Sequence, residues 1–457
     1  MYYSSVSTLA SVRCLCAEPN YGNKRIASID VRGAFNQSLS FEQMGKEHKY
    51  KYVVFTHPVT KEKLLYAARG PLYGEASAPR HWSDTLAEYL ISEGFVRGLN
   101  ETSTFYHPQR RLTLLAYVDD LLLSGEEADC RWFEQAIQTR FDCKPMLMLG
   151  APGVEVLDHL GVELSQDATH TSLSLRSYIE SIPDTLGLPI ASFKPVSNPM
   201  QSDIDPDSPA LTAAKRRIFM KACGCISWCC ATVRCDAQLA LSRAAQWMAN
   251  PNDSAYQSVI RIISYLLHSA DYKLKAPHKP LQPDPVNHHW EFYCDSDHSA
   301  NTSDSKLRCT CGALAVLNGM PVLWSSSTPT VACHPKITEP ICDMAVSVSE
   351  IYAAATANKK FMALQYAAEE QGLPWPKHGY ILQQDNIASG LFCTKGHSKS
   401  RSRMKHLDLR MAWCKQLRDS SVMKSAYVRS EDNKSDLLTK LLPTAEFRRQ
   451  RSRIMHG

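Results

Sequence analysis

The chain has 457 residues, of which 44% are hydrophobic and 21% are charged, and its formal net charge is +5. This length allows about two to four domains with sizeable cores, and the mild basic excess permits a polyanionic partner without requiring one. The sequence predicts no transmembrane helix and no signal peptide, and sixteen scattered cysteines favour a reducing, intracellular compartment over a disulfide framework.

Residues 1–165 alternate short strand-like runs with single amphipathic stretches, which predicts an α+β sheet domain. The run "KRIASIDVRGAF" predicts a strand that carries Asp30, and residues 50–68 predict a hairpin with a polar turn. Helices are predicted over 77–95 and 129–141, where apolar residues recur at helical spacing.

The stretch "AYVDDLLLSG", residues 116–125, predicts a β-hairpin with Asp119 and Asp120 at or near its tip. An ordinary turn is one explanation, because aspartate side chains bond nearby backbone groups. A divalent cation is the other, because adjacent buried carboxylates repel and Mg²⁺ takes oxygen ligands. Both explanations stay open from this stretch alone, and a third carboxylate on a neighbouring strand would favour the metal.

Residues 166–274 are predicted to be mainly helical, and Ser208 followed by Pro209 is typical of a helix start. The cysteine-rich stretch "CGCISWCC", 223–230, lacks the ligand spacing of a structural zinc site, so small buried hydrophobes are favoured over zinc. Residues 275–287 contain four prolines and predict a stiff, extended linker.

Residues 288–445 again alternate strands and helices, with one acidic residue at the end of a predicted strand or near the start of a predicted helix in each of four elements. These residues are Asp295, Glu350, Asp385 and Asp436. Each alone can be explained by the helix dipole or by a strand end. Together they favour a two-metal phosphodiester site with ions about 4 Å apart. The basic tail, residues 446–457, is predicted to be disordered.

Nine motifs follow one another over about 400 residues: "SIDVRGAF", "LYGEASAPRHW", "YVDD", "HLGVEL", "YCDSD", "SVSEIYAA", "QQDNIAS", "KHLDLR" and "NKSDLLTK". In this order they resemble the reverse transcriptase–ribonuclease H portion of copia-type retrotransposon Pol polyproteins. The resemblance implies an α+β reverse transcriptase palm with truncated fingers over 1–165 and a helical thumb and connection over 166–274. After the linker it implies an α/β ribonuclease H-like domain over 288–445.

The same resemblance implies two Mg²⁺ ions at each of two sites, with Mn²⁺ as a possible substitute. The polymerase ligands would be Asp30 and Asp119, with Asp120 at the edge of the site. The ligands of the nuclease site would be the four acidic residues named above, Asp295, Glu350, Asp385 and Asp436. In both sites the protein contributes positioning and charge stabilisation.

The nucleotide site implied by the resemblance includes Val31, Tyr73 and Gly74, which match positions near the incoming nucleotide. Phe35 matches an aromatic gate beneath the sugar, which would clash with a ribose 2′-hydroxyl and favour deoxynucleotides. Ordinary core packing is the alternative explanation for this ring.

Primer and template contacts are implied at three positions. Leu160 and Gly161, within "HLGVEL", match a hairpin that grips the primer end. Arg80 is placed to reach a template phosphate, although an exposed helix residue is an equally simple explanation.

The stretch 395–410 carries six Lys or Arg residues against one Asp. It predicts an electrostatic track for an RNA–DNA hybrid, with Lys405 and Arg410 as contacts, or alternatively an ordinary charged surface. Neither His397 nor His406 is assigned as a general base, because the short loop "VRSEDNKSD" before the last carboxylate contains no histidine, a feature in which the chain resembles copia-type members.

Departures from the family pattern weaken the expected triphosphate clamp, since Glu75 and Ala76 replace an apolar residue and a lysine. The resulting interpretation is an RNA-directed DNA polymerase with a tethered ribonuclease H. The expected partners are an RNA template, a DNA primer, an RNA–DNA hybrid, deoxynucleoside triphosphates and other Pol segments such as integrase and protease, with no membrane. The expected location is the cytoplasm, within virus-like particles, and the nucleus.

Three alternatives remain open at this point. One is a truncated copy in which only the hybrid nuclease is active. Another is a catalytically inactive protein that still binds nucleic acid. The third is a metal-binding scaffold with no nucleic-acid partner, whose binding would be insensitive to salt.

Overall fold

The computed structural model describes residues 6–18, 24–45, 49–279, 289–297, 309–328, 342–386 and 405–457; for 342–348 and 405–408 it describes the helical backbone alone. The fold is mixed α/β, and the chain divides into two compact units. Unit 1 comprises Met1–Leu15, Asn20–His159 and Tyr366–Leu373, and unit 2 comprises Cys16–Pro19, Leu160–Gln365 and Pro374–Gly457. In the described residues, no helix combines the length and the apolar character that crossing a membrane requires.

The first part of the chain forms a six-stranded sheet, a separate hairpin and three helices. The sheet strands are β1 (Lys24–Asp30), β4 (Val96–Arg97), β5 (Thr104–His107), β6 (Leu112–Tyr117), β7 (Asp120–Glu126) and β8 (Leu147–Met148), in the order β4-β5-β6-β7-β1-β8. The hairpin pairs β2 (Lys51–Thr56) with β3 (Lys63–Ala68). The helices are α1 (Leu9–Ala17), α2 (Ala78–Ser92) and α3 (Glu127–Gln138), and a 3-10 turn spans Ala34–Gln37.

The core of unit 1 confirms the hairpins and helices predicted from periodicity. Trp82 and Leu86 on α2 and Phe133 on α3 belong to one buried cluster with strand residues such as Leu114 and Leu123. The apolar face of each helix therefore covers the sheet, as an amphipathic pattern predicts.

The next part of the chain combines helices with a small sheet. Strands β9 (Val156–His159), β10 (Val162–Gln166), β11 (His170–Ser174) and β12 (Leu274–Pro277) form a four-stranded sheet in the order β12-β11-β10-β9. The helices are α4 (Arg176–Leu186), α5 (Ala213–Thr232), α6 (Gln238–Ala245) and α7 (Asp253–Leu267). Four cysteines of α5 are buried, as expected for small hydrophobes: Cys223, Cys225, Cys229 and Cys230.

The last part of the chain contains a five-stranded sheet in the order β15-β14-β13-β16-β17. Its strands are β13 (Trp290–Asp297), β14 (Thr310–Leu317), β15 (Met320–Ser327), β16 (Tyr380–Gln384) and β17 (Met423–Tyr427). The helices are α8 (Cys342–Glu370), α9 (Lys405–Asp419) and α10 (Thr444–Arg451), and a 3-10 turn spans Lys434–Leu438. Strand β13 pairs antiparallel with β14 and parallel with β16, so it lies inside the sheet.

The predicted linker begins too early, because part of it is a strand. Leu274 and Ala276 are buried, and β12 pairs with β11 along its whole length. The prolines of this stretch argued against a strand, so its alternation of buried and less buried residues was not recognised in the sequence. The rest of the predicted linker, from residue 280 onward, lies outside the described residues. The prediction that 166–274 is mainly helical holds for α4–α7, but the range also contains strand β11 and the first residue of β12.

The predicted helix start at Ser208 and Pro209 is wrong. Helix α5 begins at Ala213, and the side chain of Thr212 caps it by accepting a hydrogen bond from the Lys215 amide. The carbonyl of Pro209 instead accepts a bond from the backbone N–H of Asp253, which draws this segment onto the start of α7.

The prediction of a disordered basic tail is also wrong. Residues 446–451 belong to α10, which ends at Arg451, and Phe447, Ile454 and Met455 are at most 5% exposed. The backbone of His456 pairs with Lys273 at the start of the segment that leads into β12. The three apolar side chains supply the burial that orders an otherwise basic segment.

Candidate metal centres

The three acidic residues predicted for the first centre lie at one end of the six-stranded sheet, but among the described residues their carboxylate oxygens do not form a group close enough to share one ion. Asp30 is the last residue of β1 and lies directly opposite Asp120, the first residue of β7. Residues paired in this way have Cα atoms roughly 4.5–5.5 Å apart. Asp119 belongs to the preceding turn, and its carbonyl accepts a hydrogen bond of 3.0 Å from the backbone N–H of Val31.

The turn that carries Asp119 has a strained backbone held by a buried tryptophan. Val118 has φ of +57°, a left-handed conformation that is rare for a β-branched residue. Its carbonyl accepts a 2.6 Å hydrogen bond from Nε1 of Trp82, which is only 2% exposed. Within the described part of the chain, neither Asp119 nor Asp120 uses its carboxylate to bond the turn, so the side chains do not serve to form it.

The electrostatics of this centre favour a positive charge. Burial raises the pKa of Asp120, and the negative charges of Asp119 and Asp30 raise it further. Lys144 Nζ lies 3.0 Å from Asp30 Oδ2 and partly offsets this repulsion. Sequence reasoning missed Lys144, which lies far along the chain with no recognisable motif around it.

The predicted nucleotide residues lie close to the end of β1. Phe35 is in the 3-10 turn that follows β1, and its ring centroid is 4.7 Å from that of Tyr73. Tyr73 is 57% exposed and precedes Gly74, which has φ of +89°. Val31 is completely buried. Phe35 also packs against the core of unit 1, so both explanations for this ring stay open.

The predicted primer and template residues have less distinctive surroundings. Arg80 is exposed and pairs with Asp84 at 3.0 Å along α2. Leu160 and Gly161 form the turn between β9 and β10, with φ values of +57° and +77°. Lys405 lies at the start of α9, but its side chain falls outside the described residues, as do those of His397 and His406. Arg410 stacks 3.7 Å above the ring of Tyr352.

The second centre brings three predicted aspartates within reach of one ion. Asp295 lies on β13, Asp385 directly follows the neighbouring strand β16, and Asp436 is in the 3-10 turn Lys434–Leu438. Each offers a carboxylate oxygen, and these oxygens all lie within 4.8 Å of one another. The fourth predicted residue, Glu350, lies on α8 and is 4% exposed.

Lys440 is the functional residue of this centre that sequence reasoning missed. Its Nζ lies 3.3 Å from Asp295, 3.5 Å from Asp385 and 2.9 Å from Asp436. Although burial opposes it, the charges of Asp295 and Asp436 raise the pKa of Lys440 above its usual value. The signal was present in "NKSDLLTK", because a lysine four residues after an aspartate falls on the same face of a helical turn.

One ammonium group does not balance four carboxyl groups, of which three are buried and that of Asp385 is partly exposed. Burial, reinforced by the charges of Asp295 and Asp385, raises the pKa of Glu350 to about 9. Burial and Asp295 raise the pKa of Asp436 to about 7. Oε2 of Glu350 is buried and has no hydrogen-bond partner in the described residues. The three aspartate oxygens are the donor type that a hard divalent cation takes, and Glu350 lies outside that group of three but is close enough to feel the charges of Asp295 and Asp385.

Comparison with known proteins finds similarity in the first part of the chain and along most of its length. Residues 2–202 match the family described as "Reverse transcriptase (RNA-dependent DNA polymerase)". The chain is 24% identical to the retrovirus-related Pol polyprotein from transposon RE2 of Arabidopsis thaliana, over 97% of this chain and 28% of that protein. It is 22% identical to the corresponding polyprotein from transposon TNT 1-94 of Nicotiana tabacum, over 97% of this chain and 32% of that protein.

A third relative, the retrovirus-related Pol polyprotein from transposon RE1 of Arabidopsis thaliana, is 24% identical over 99% of this chain and 29% of that protein. The chain therefore spans about a third of the length of these curated relatives, with shares of 28%, 32% and 29%. The family match covers the hairpin of Asp119 and Asp120, and the relatives align along almost the whole sequence. Residues 2–202 are therefore similar to reverse transcriptases, and almost the whole chain is similar to part of the retrovirus-related Pol polyproteins of plant transposons.

Proposed function

We propose that the chain is an RNA-directed DNA polymerase with a tethered ribonuclease H that cleaves the RNA strand of RNA–DNA hybrids. The observation that carries the proposal is the presence of two acidic centres on two different sheets, one of them inside the region matched by the reverse transcriptase family. The six-stranded sheet would be the palm, α4–α7 the thumb and connection, and the five-stranded sheet a ribonuclease H-like domain.

In the polymerase centre, Asp30 and Asp119 would hold two Mg²⁺ ions, with Asp120 at the edge and Mn²⁺ as a possible substitute. When bound, the ions would activate the primer 3′-hydroxyl and neutralise phosphate charge during in-line displacement. Trp82 donates a hydrogen bond to the Val118 carbonyl and so supports the turn that carries Asp119. Phe35, supported by Tyr73, would exclude a ribose 2′-hydroxyl from the sugar position.

In the nuclease centre, the ligands would be Asp295, Glu350, Asp385 and Asp436. When bound, divalent cations would activate water and stabilise the leaving oxygen of the RNA strand. The buried oxygens and the unpaired Oε2 of Glu350 support this assignment. Lys440 supplies a positive charge that holds the acidic side chains together before a metal ion arrives.

The partners follow from these reactions. They are an RNA template, a DNA primer, the RNA–DNA hybrid and deoxynucleoside triphosphates, together with other Pol segments if the chain is part of a longer polyprotein. We place the activity in the cytoplasm, within virus-like particles, and in the nucleus.

A second candidate keeps the nuclease active and the polymerase inactive. It is favoured by Glu75, which occupies the region where a triphosphate clamp is expected and forms an ion pair with Lys51. Glu75 adds a negative charge to the region where a nucleotide phosphate would need a positive one. Glu75 also accepts a hydrogen bond from Ser77, and together these contacts lower its pKa although burial opposes them.

A labelled DNA primer on an RNA template distinguishes these candidates. We expect primer extension and RNA cleavage in Mg²⁺, and loss of both in EDTA. Cleavage without extension would favour the second candidate. Salt-sensitive hybrid binding with neither activity, in Mg²⁺ or Mn²⁺, would identify a protein that only binds nucleic acid and would overturn the proposal.

A further inference from the structure

A cleft of about 850 Å³ lies in unit 2, away from the residues of both acidic centres. Its walls come from the segment before α5, from α7 and from α10. The lining residues are Pro195, Val196, Ser197, Gln201, Arg261, Tyr265, His268, Ser269, Tyr272, Arg448 and Arg451. Clefts of roughly 300–1,000 Å³ are large enough for a small ligand or for part of a larger one.

The cleft is strongly positive. Three of its lining residues are arginines and none is acidic. Arg451 is 8% exposed and is held by hydrogen bonds of 2.9 Å to the Tyr265 hydroxyl and 2.6 Å to the Tyr272 hydroxyl. Its guanidinium group also lies 3.9 Å from the centre of the Tyr272 ring, so its orientation is fixed.

No residue lining the cleft supplies a counter-charge for these arginines, although the buried Asp236 interacts electrostatically with Arg451. Nε of Arg261 is buried and has no hydrogen-bond partner there, and the same is true of Nε of Arg451. Burial lowers the pKa of Arg261, as expected for a partly desolvated guanidinium without a carboxylate. The buried Asp236, which Tyr265 also contacts, is paired with Arg234 at 2.9 Å.

We propose that this cleft binds a phosphate group through Arg261 and Arg448, with Arg451 as a fixed positive charge beneath it. Guanidinium groups match phosphate because their planar N–H donors reach two oxygens at once. Two sources present the same chemistry, namely the backbone of a nucleic acid and a free phosphate compound. The proposal goes beyond the polymerase and nuclease functions, since none of these residues belongs to either acidic centre.

The test measures two phosphate sources in EDTA, so that neither acidic centre takes part through metal ions. Wild-type protein is compared with the Arg261→Gln/Arg448→Gln double variant, and Arg217→Gln serves as the control because Arg217 is exposed on α5 outside the cleft. Calorimetry follows pyrophosphate binding, and fluorescence anisotropy follows an RNA–DNA hybrid over a range of salt concentrations. Circular dichroism confirms folding, and Arg448→Gln alone replaces the double variant if that variant does not fold.

At least about a tenfold loss of pyrophosphate affinity in the double variant, with the control unchanged, would support a free phosphate compound. A fall of roughly two in the salt slope of hybrid binding, with pyrophosphate binding absent or unaffected, would support the backbone of a nucleic acid. For Arg448→Gln alone, the corresponding fall is roughly one. If affinities and slopes match those of the wild type for both probes, the proposal is wrong, whatever the two acidic centres do.

Discussion

In the two acidic centres, the repulsion between neighbouring carboxylates is reduced in different ways. In the first, Asp30 keeps about a third of its side chain in water, at 35% exposure, and a lysine approaches from the surface. In the second, the side chain of Asp295 is 1% exposed and Lys440 lies among the carboxylates themselves. Water screens the repulsion in the open centre, whereas the buried centre requires a cation of its own.

This difference predicts that the two centres respond differently to the loss of metal ions. An ion that binds the folded protein but not the unfolded chain raises the free energy of unfolding. This increase is larger when the carboxylates of the metal-free site repel one another more strongly. We therefore expect divalent cations bound at the buried centre to raise the free energy of unfolding of the protein. At the open centre they should change the rate of the reaction but not the stability.

The largest expected effect comes from Glu350→Gln, which removes a ligand from the buried centre alone. Hybrid cleavage should fall at least about 100-fold, since the divalent cations that stabilise the reacting phosphate would lose one of their ligands, while primer extension stays near the wild-type rate. Gel assays on the two substrates measure both rates. Glu369→Gln, an exposed change on the same helix, should leave both reactions intact. Equal losses of extension and cleavage would argue against two independent centres.

The next effect is on stability, in Lys440→Met. Removing one partner of a buried ion pair leaves uncompensated charge, so the free energy of unfolding in EDTA should fall by about 3 kcal/mol. Addition of Mg²⁺ should restore more stability to this variant than to the wild type. Chemical denaturation with and without Mg²⁺ measures both quantities.

The control for this prediction is Lys415→Met, which breaks an exposed pair with Asp419 on α9. It should cost no more than about 1 kcal/mol, and the cost should not depend on Mg²⁺. If Lys440→Met were equally mild in EDTA, the ammonium group would not be what holds the buried carboxylates together.

A smaller effect is expected in the open centre from Phe35→Val. The shorter side chain should raise the ratio of kcat/KM for ribonucleotides to that for deoxynucleotides by about 10- to 100-fold. The reason is that the steric clash between the Phe35 ring and the ribose 2′-hydroxyl is removed. Single-nucleotide incorporation measures this ratio. Phe55→Val, at an exposed position of β2, should not change it. An unchanged ratio in Phe35→Val, together with lower stability, would identify the ring as core packing.

A further effect, on the protein without metal ions, is the pH dependence of stability. Burial raises the pKa of Glu350 to about 9 and that of Asp436 to about 7, so the folded state binds protons more tightly than the unfolded chain does. The free energy of unfolding in EDTA should therefore fall from about pH 5 to pH 9, and Glu350→Gln should flatten this slope. A wild-type stability that is constant or rises over this range would contradict the assigned burial.

Periodicity predicted the local elements well, because the alternating and helical apolar patterns are the faces that become buried. Helix α2 and the hairpin of Asp119 and Asp120 lie where the sequence indicated. The order of motifs also indicated that Asp30 would face this hairpin, and the register of β1 and β7 places it there.

What the sequence could not predict depends on contacts between distant segments. Lys144 pairs with a residue more than 100 positions away, at a surface with no motif. The tail was predicted to be disordered because it is basic, but the ring of Phe447 packs edge-on against the ring of Tyr265 on α7. Pro209 resembled a helix start, but its carbonyl is bound by a residue of another helix.

The most direct test of the central claim is a crossed assay of Asp119→Asn and Asp295→Asn on one primed RNA template. Asp119→Asn should abolish primer extension and leave RNA cleavage in Mg²⁺ intact, and Asp295→Asn should do the reverse. Extension by Asp119→Asn at the wild-type rate would contradict the assignment of the hairpin carboxylates, and cleavage by Asp295→Asn would contradict that of the buried cluster.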